Sequence, residues 1–147
     1  MDIGKLTDEL KQDEGVVRKI YKDHLGIPTF GVGHMVLKSD QEYGQEVGTE
    51  VSLQRINECF SQDLKSVILD CNRLYDDFDD LPEQAQRVIA NQMFNLGLPR
   101  LRKFVKMKKR IDERDWIGAA LEGQDSRWFK QVPARAGRLM RRLKALG

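Results

Sequence analysis

Three side chains able to do chemistry stand near the start of the chain: Glu14, Asp23 nine positions on, and Thr29 six further, all within QDEGVVRKIYKDHLGIPTFGVGH (12–34). Cleavage of a glycosidic bond uses groups of these kinds. One acid protonates the leaving oxygen, and a second carboxylate positions water or stabilises the oxocarbenium-like transition state. The acid must keep its proton near neutral pH, which needs desolvation or neighbouring negative charge, and Asp13 and Asp23 are the sources of such charge nearest Glu14 in the sequence. Glu14 is therefore the better acid candidate. The same residue types also serve with no catalysis, since acidic residues cap helices and form turns in many proteins.

The elements that must position these groups follow from patterning. Ile3, Leu6 and Leu10 recur at helical spacing, and Gly15 ends the run, giving a helix over 2–14. From Arg18 to His34, "KIYKD", a turn-like "HLGIP" and "TFGVGH" read as a hairpin whose loop is longer than the tightest turns. Alternation sends Phe30 and Val32 to one face and Thr29, Gly31 and Gly33 to the other, which is left almost bare; it also puts Tyr21 and Asp23 together. Two glycines in a strand imply close approach of a ligand or of another backbone.

Residues 35–51 read as further loop or a short irregular strand, so that about 15–51 form a small β-containing lobe. Ser52 caps a helix over 53–74, whose roughly 33 Å suits a strut between two lobes. The acidic "YDDFDD" ends it. Pro82 opens a helix closed by Gly97, and further helices fit 99–110, 113–122, 126–131 and 133–146. The expected class is α+β, predominantly helical: one domain over 1–147, with 75–147 and the first helix making the larger lobe.

The 147 residues, 40% hydrophobic and 33% charged, suit one soluble globular domain. No apolar run approaches the roughly 20 residues of a membrane span. The N-terminus has no apolar stretch of the secretory kind, so a target outside the cytoplasm would be reached with help. Cys59 and Cys71 lie twelve residues apart in one helical pattern, about 18 Å, whereas a disulfide needs Cα atoms within about 7 Å. They read as separate thiols.

A net charge of +2 conceals a strong asymmetry. Residues 1–52 carry 6 basic and 10 acidic groups, residues 53–99 carry 4 and 8, and residues 100–147 carry 15 and 5. The basic last third favours a polyanionic partner. Arg135, Arg138, Arg141, Arg142 and Lys144 crowd one helix with Leu139, Met140, Leu143 and Leu146. That helix reads either as a solvated charged face or as a contact for an anionic envelope. A rival class, a helical nucleic-acid-binding protein using "RKFVKMKKR" (102–110) and the tail, lacks any recognisable binding motif and must contend with two acidic thirds, so no nucleic-acid partner is expected.

The order "DEG…IYKD…G…T-x-G-x-GH" resembles the active-site segment of the T-even phage type of lysozyme, the endolysins that cleave peptidoglycan. The likeness continues through the long helix after Ser52, "NQMFNLG" (91–97), "SRW" (126–128), Pro133, Arg135 and Arg138. It implies a two-lobed lysozyme fold in which Glu14 is the general acid, while Asp23 and Thr29 hold the attacking water and Asp23 offsets developing positive charge.

Gly33 and His34 would lie beside the substrate, His34 as a packing and hydrogen-bonding residue. Asn95 and Arg135 would face its sugar or peptide portions, and Trp128 reads as core. The bond implied is the β-1,4 link between N-acetylmuramic acid and N-acetylglucosamine, cut with inversion and with no metal or cofactor; a lytic transglycosylase reaction on that bond is the neighbouring alternative. The resemblance further implies a monomer, held in the host cytoplasm until lysis and then acting on the cell wall, with a holin-type partner for export.

Overall fold

The computed structural model describes residues 1–147, an α+β chain with a small antiparallel sheet near the N-terminus and helices elsewhere. The chain divides into two compact units, residues 7–66, and residues 1–6 together with 67–147. The divisions fall inside α1 (Ile3–Glu14) and α2 (Leu53–Leu74), the first helix and the 22-residue helix expected after Ser52.

In the unit 7–66, β1 (Val17–Lys22), β2 (Pro28–Gly31) and β3 (His34–Met35) pair antiparallel in that order. Tyr21 faces Thr29 and Lys22 faces Pro28, but Val17 faces Gly31, so β1 carries a bulge between Val17 and Tyr21. The bulged strand pairs on its other side with the segment before α2, where Ile20 N–H donates to Thr49 and Val51 N–H to Arg18. The third strand begins one residue before the segment read as loop or short irregular strand, and its two residues are too few to show a period.

Alternation also stops earlier than the sequence implies. Gly31 and Gly33 both have φ above +60°, so the strand turns at Gly31 and Val32 enters the core from a turn. The surface expected to be bare is in fact covered. Thr29 is buried, and a Cβ on Gly31 would stand 3.0 Å from Ile56 Cγ2. Ile20, Phe30, Val32, Ile56, Phe60 and Leu64 form the core of this unit.

The other unit is built around α3 (Glu83–Leu96), which is buried nearly all round. A helix with no solvated stripe must be wrapped by others, and α8 (Pro133–Lys144) supplies one wall through Leu139, Met140 and Leu143. Gln86, buried on α3, is satisfied by donating from Nε2 to the Asp79 and Leu81 carbonyls. Pro82 caps α3 rather than opening it, and Gly97 closes it with φ +78°.

The single helix expected over 99–110 is two: α4 (Leu98–Leu101) and α5 (Val105–Asp112). On one continuous helix Leu101 and Met107 would lie about 120° apart, yet both are buried. The break resets the phase, and Phe104 at the break sets its ring edge-on to Trp128, centroids 6.3 Å apart. Next, α6 (Trp116–Gln124) starts later than expected because the Asp115 carboxylate caps it, accepting from Gly118 N–H at 2.9 Å. Finally, α7 (Arg127–Gln131) begins at the Ser126 cap. Cys59 and Cys71 are free buried thiols on α2, and no helix is long and apolar enough to cross a membrane.

Gly31→Ala places a methyl group against Ile56 at a backbone angle that L-residues avoid. It should lower stability by about 1–3 kcal/mol, read as a reduced urea midpoint with unchanged slope.

Candidate functional site

Asp23 follows the last residue of β1 and organises the turn to β2. Its backbone N–H donates to the Ile27 carbonyl, and its Oδ1 accepts from the N–H groups of Leu25 and Ile27, each at 2.9 Å. An aspartate bonding backbone groups two and four residues on is a turn former by chemistry. Thr29 is tied to the same residue, with Oγ1 donating to the Ile27 carbonyl at 2.9 Å. Both side chains therefore refer to Ile27. Asp23 uses one carboxylate oxygen there, and Thr29 uses its only proton, which leaves the hydroxyl oxygen as an acceptor.

Tyr21 lies opposite Thr29 in the register. Its phenol pKa is raised above 10, first by burial and then by the negative charges of Glu14 and Asp23. The two carboxylates thus act on one phenol. Glu14 ends α1, and its carboxyl lies against the turn between β2 and β3. A Cβ on Gly33 would fall 2.9 Å from Glu14 Oε2. The glycine that seemed to clear space for a ligand makes room for the acid.

His34, beside Gly33, is buried and bonded on both sides: Nδ1 lies 2.7 Å from Asp63 Oδ2 on α2, and Nε2 lies 2.8 Å from Asp40 Oδ2. Burial opposes its charge, but the bonds to Asp63 and Asp40 outweigh burial and raise the pKa above 6.5. Asp40 also accepts from Leu37 N–H and meets Arg55 at 3.3 Å. Arg55 grips Glu42 with two parallel bonds of 2.9 Å, from Nε and Nη2.

Burial pushes the Asp40 carboxyl up, but Leu37, His34 and Arg55 together hold it below its ordinary value. Arg55 is the main cause of the lowered Glu42 pKa. The sequence reading placed Tyr21 with Asp23 but missed the influence of Glu14 on it, and it missed Asp40, Glu42, Arg55 and Asp63 altogether. The one available clue was the cluster of polar residues at i, i+3 and i+8 on α2 (Arg55, Glu58, Asp63) beside its apolar stripe.

Glu14, Asp23, Thr29, Gly33 and His34 all belong to the unit 7–66. Asn95 and Arg135 belong to the other. Asn95 Oδ1 accepts from the indole N–H of Trp128 at 2.8 Å, joining α3 to α7, and Trp128 is core as expected. Arg135 is buried, its Nε donating to Asn91 Oδ1 at 2.9 Å. The basic helix α8 spends its apolar residues on the protein core, so it has no apolar face to lay on a bilayer. Arg141 and Lys144 remain exposed on it. No group of three or more His, Cys, Asp and Glu side chains is arranged to hold a metal ion.

The phage lysozyme family model matches residues 11–145. Probable T4-type lysozyme 2 of Dictyostelium discoideum is 30% identical, with 94% of this chain and 92% of that protein covered. Probable T4-type lysozyme 1 of the same organism is 28% identical over equal shares. The pre-baseplate central spike protein Gp5 of Enterobacteria phage T4 is 26% identical across 91% of this chain and 26% of its own length.

The ion-pair network has a defined pH window. The lowered pKa values of Asp40 and Glu42 give stability that is present above their ordinary range and lost as pH falls through the depressed values. The raised pKa of His34 gives stability that is full below 6.5 and lost as pH rises through the raised value. Both contributions are present together at about pH 5–6. Glu42→Gln should cost about 1–3 kcal/mol at that pH. Chemical denaturation at decreasing pH should show the gap to wild type closing toward about pH 3.

Proposed function

The chain belongs to the phage lysozyme family, a glycoside hydrolase of peptidoglycan lysis, and from that premise we propose that it is a muramidase cutting the β-1,4 bond between N-acetylmuramic acid and N-acetylglucosamine. The observation that carries the assignment of residues is the convergence on Tyr21: its phenol feels both Glu14 and Asp23 and lies opposite Thr29.

Glu14 is the general acid, giving its proton to the glycosidic oxygen as the bond to the anomeric carbon breaks. Water attacks that carbon from the other face of the sugar. Asp23 and Thr29 hold this water in a defined orientation because each presents an acceptor. Oδ1 of Asp23 is engaged by the turn, so Oδ2 takes one water proton, and Thr29 Oγ1, its own proton committed to Ile27, takes the other. A water with both protons directed into the protein points its lone pairs outward, toward the sugar. Asp23 accepts the proton released on attack, and its charge offsets the oxocarbenium-like centre. The product is inverted at the anomeric carbon. Exposed cations of the last third, Arg141 and Lys144 among them, favour approach to an anionic wall. The biological setting consistent with this chemistry is host cell lysis, with a holin-type partner giving access to the wall.

Glu14→Gln keeps the side chain's shape but supplies no acidic proton. Turbidity loss of purified peptidoglycan should slow by about 10²–10⁴-fold, with the variant still folded, and equal clearing by both proteins would remove Glu14 from this role. Thr29→Val, which deletes the acceptor at nearly constant volume, should reduce kcat more than it changes KM. Mass spectrometry of the fragments should find reducing ends; anhydro-sugars would instead identify a lytic transglycosylase.

A further inference from the structure

The imidazole of His34 is gripped from two segments, by Asp63 on α2 and by Asp40 in the turns after β3, at 2.7 and 2.8 Å. Only the imidazolium has two N–H donors. A neutral ring has one N–H and one lone pair, so in either tautomer one carboxylate faces a lone pair and that grip is lost. Leu37 N–H still donates to the same Asp40 oxygen at 2.8 Å, but it holds Asp40 and not the ring. The Phe30 ring, 5.1 Å away, offers no donor, and Arg55 is already committed to Glu42 and to the other oxygen of Asp40, with Glu58 at 3.9 Å. The residue before His34 is Gly33, the one that lies against the Glu14 carboxyl. One peptide unit therefore joins a two-sided clamp to the acid.

Resting on the reading of Glu14 as general acid, we propose that His34 is a positioning residue for the reaction: its charged ring, held from both sides, sets the Gly33 turn against the Glu14 carboxyl, and loss of its proton relaxes that contact and lowers kcat. Activity then falls on the alkaline side as His34 loses its proton, beyond any fall shared by a variant whose clamp needs no charge. The hydrogen bonds to Asp63 and Asp40 hold the ring's pKa above 6.5, so the clamp persists into the neutral range.

The discriminating variant is Asp63→Asn. Its amide can donate to a neutral Nδ1 while Nε2–H still donates to Asp40, so both grips survive without charge on the ring. The experiment measures kcat and KM on peptidoglycan fragments from about pH 5 to 9, with circular dichroism at each pH. Relative to its own optimum, wild type should lose about tenfold more kcat on the alkaline side than Asp63→Asn. Asp63→Asn should show the shallower alkaline slope, because its clamp holds without charge on the ring.

His34→Gln should be slower by about tenfold or more even at the optimum, on the scale that misplacing a reacting group costs, with KM little changed. In wild type the His34 ring signals, followed by NMR, should titrate over the same pH range as the additional fall in kcat. Equal alkaline slopes for wild type and Asp63→Asn, or wild-type kcat in folded His34→Gln, overturn the proposal. If His34→Gln does not fold, the slope of Asp63→Asn decides alone. Wall lysis by wild type and its loss in Glu14→Gln test the acid separately, so an unchanged slope beside that loss removes the role of His34 and leaves that of Glu14.

Discussion

Much of the candidate site hangs on the peptide groups of one residue, Ile27. Its N–H donates to Asp23 Oδ1, and its carbonyl accepts from both Asp23 N–H and Thr29 Oγ1. Two side chains six residues apart are thereby fixed to a common point by bonds of about the same length. The constraint is directional as well as spatial, since it decides which oxygen of Asp23 is left over and turns the Thr29 hydroxyl into an acceptor. Position and polarity come from a single turn.

The acid is held on another principle. Glu14 sits at the end of a helix and is fitted against the Gly33 backbone, where a side chain would intrude. That turn is itself held through His34, and the pairs beyond it reach α2 through Asp63 and Arg55. A self-contained turn carrying Asp23 and Thr29, and a Glu14 carboxyl fitted against a turn beside a network of charges, are separate local solutions within one unit. Substitutions in the network would thus be felt first at Glu14, and substitutions in the turn first at Asp23 and Thr29.

Local order was legible where neighbours in sequence are neighbours in space. The capping serine of α2, the apolar stripe along it and the end of α1 before Gly15 all follow from contacts within a few residues, whereas His34 is bonded to Asp63, 29 positions on. The two glycines were correctly legible as marks of close approach, but the identity of what approaches was not, because Ile56 and Glu14 come from other elements. Nor could the phase break between α4 and α5 be seen, since it is tied to Phe104 meeting Trp128, 24 residues away. Arg135 shows the same limit. Its charge suggested the solvated side of a helix, and Asn91, 44 positions earlier, provides the acceptor that lets it be buried.

The division of the chain at residues 6 and 66 gives the two units different histories on the ribosome. Residues 7–66 form one continuous stretch, so everything needed for its sheet, its turn and its charge network has been made while most of the helices are still to come. Residues 1–6 have to wait, because the rest of their unit is residues 67–147. Segments far apart in sequence must therefore meet to complete that unit, and closing so long a loop carries an entropic cost that the continuous stretch avoids.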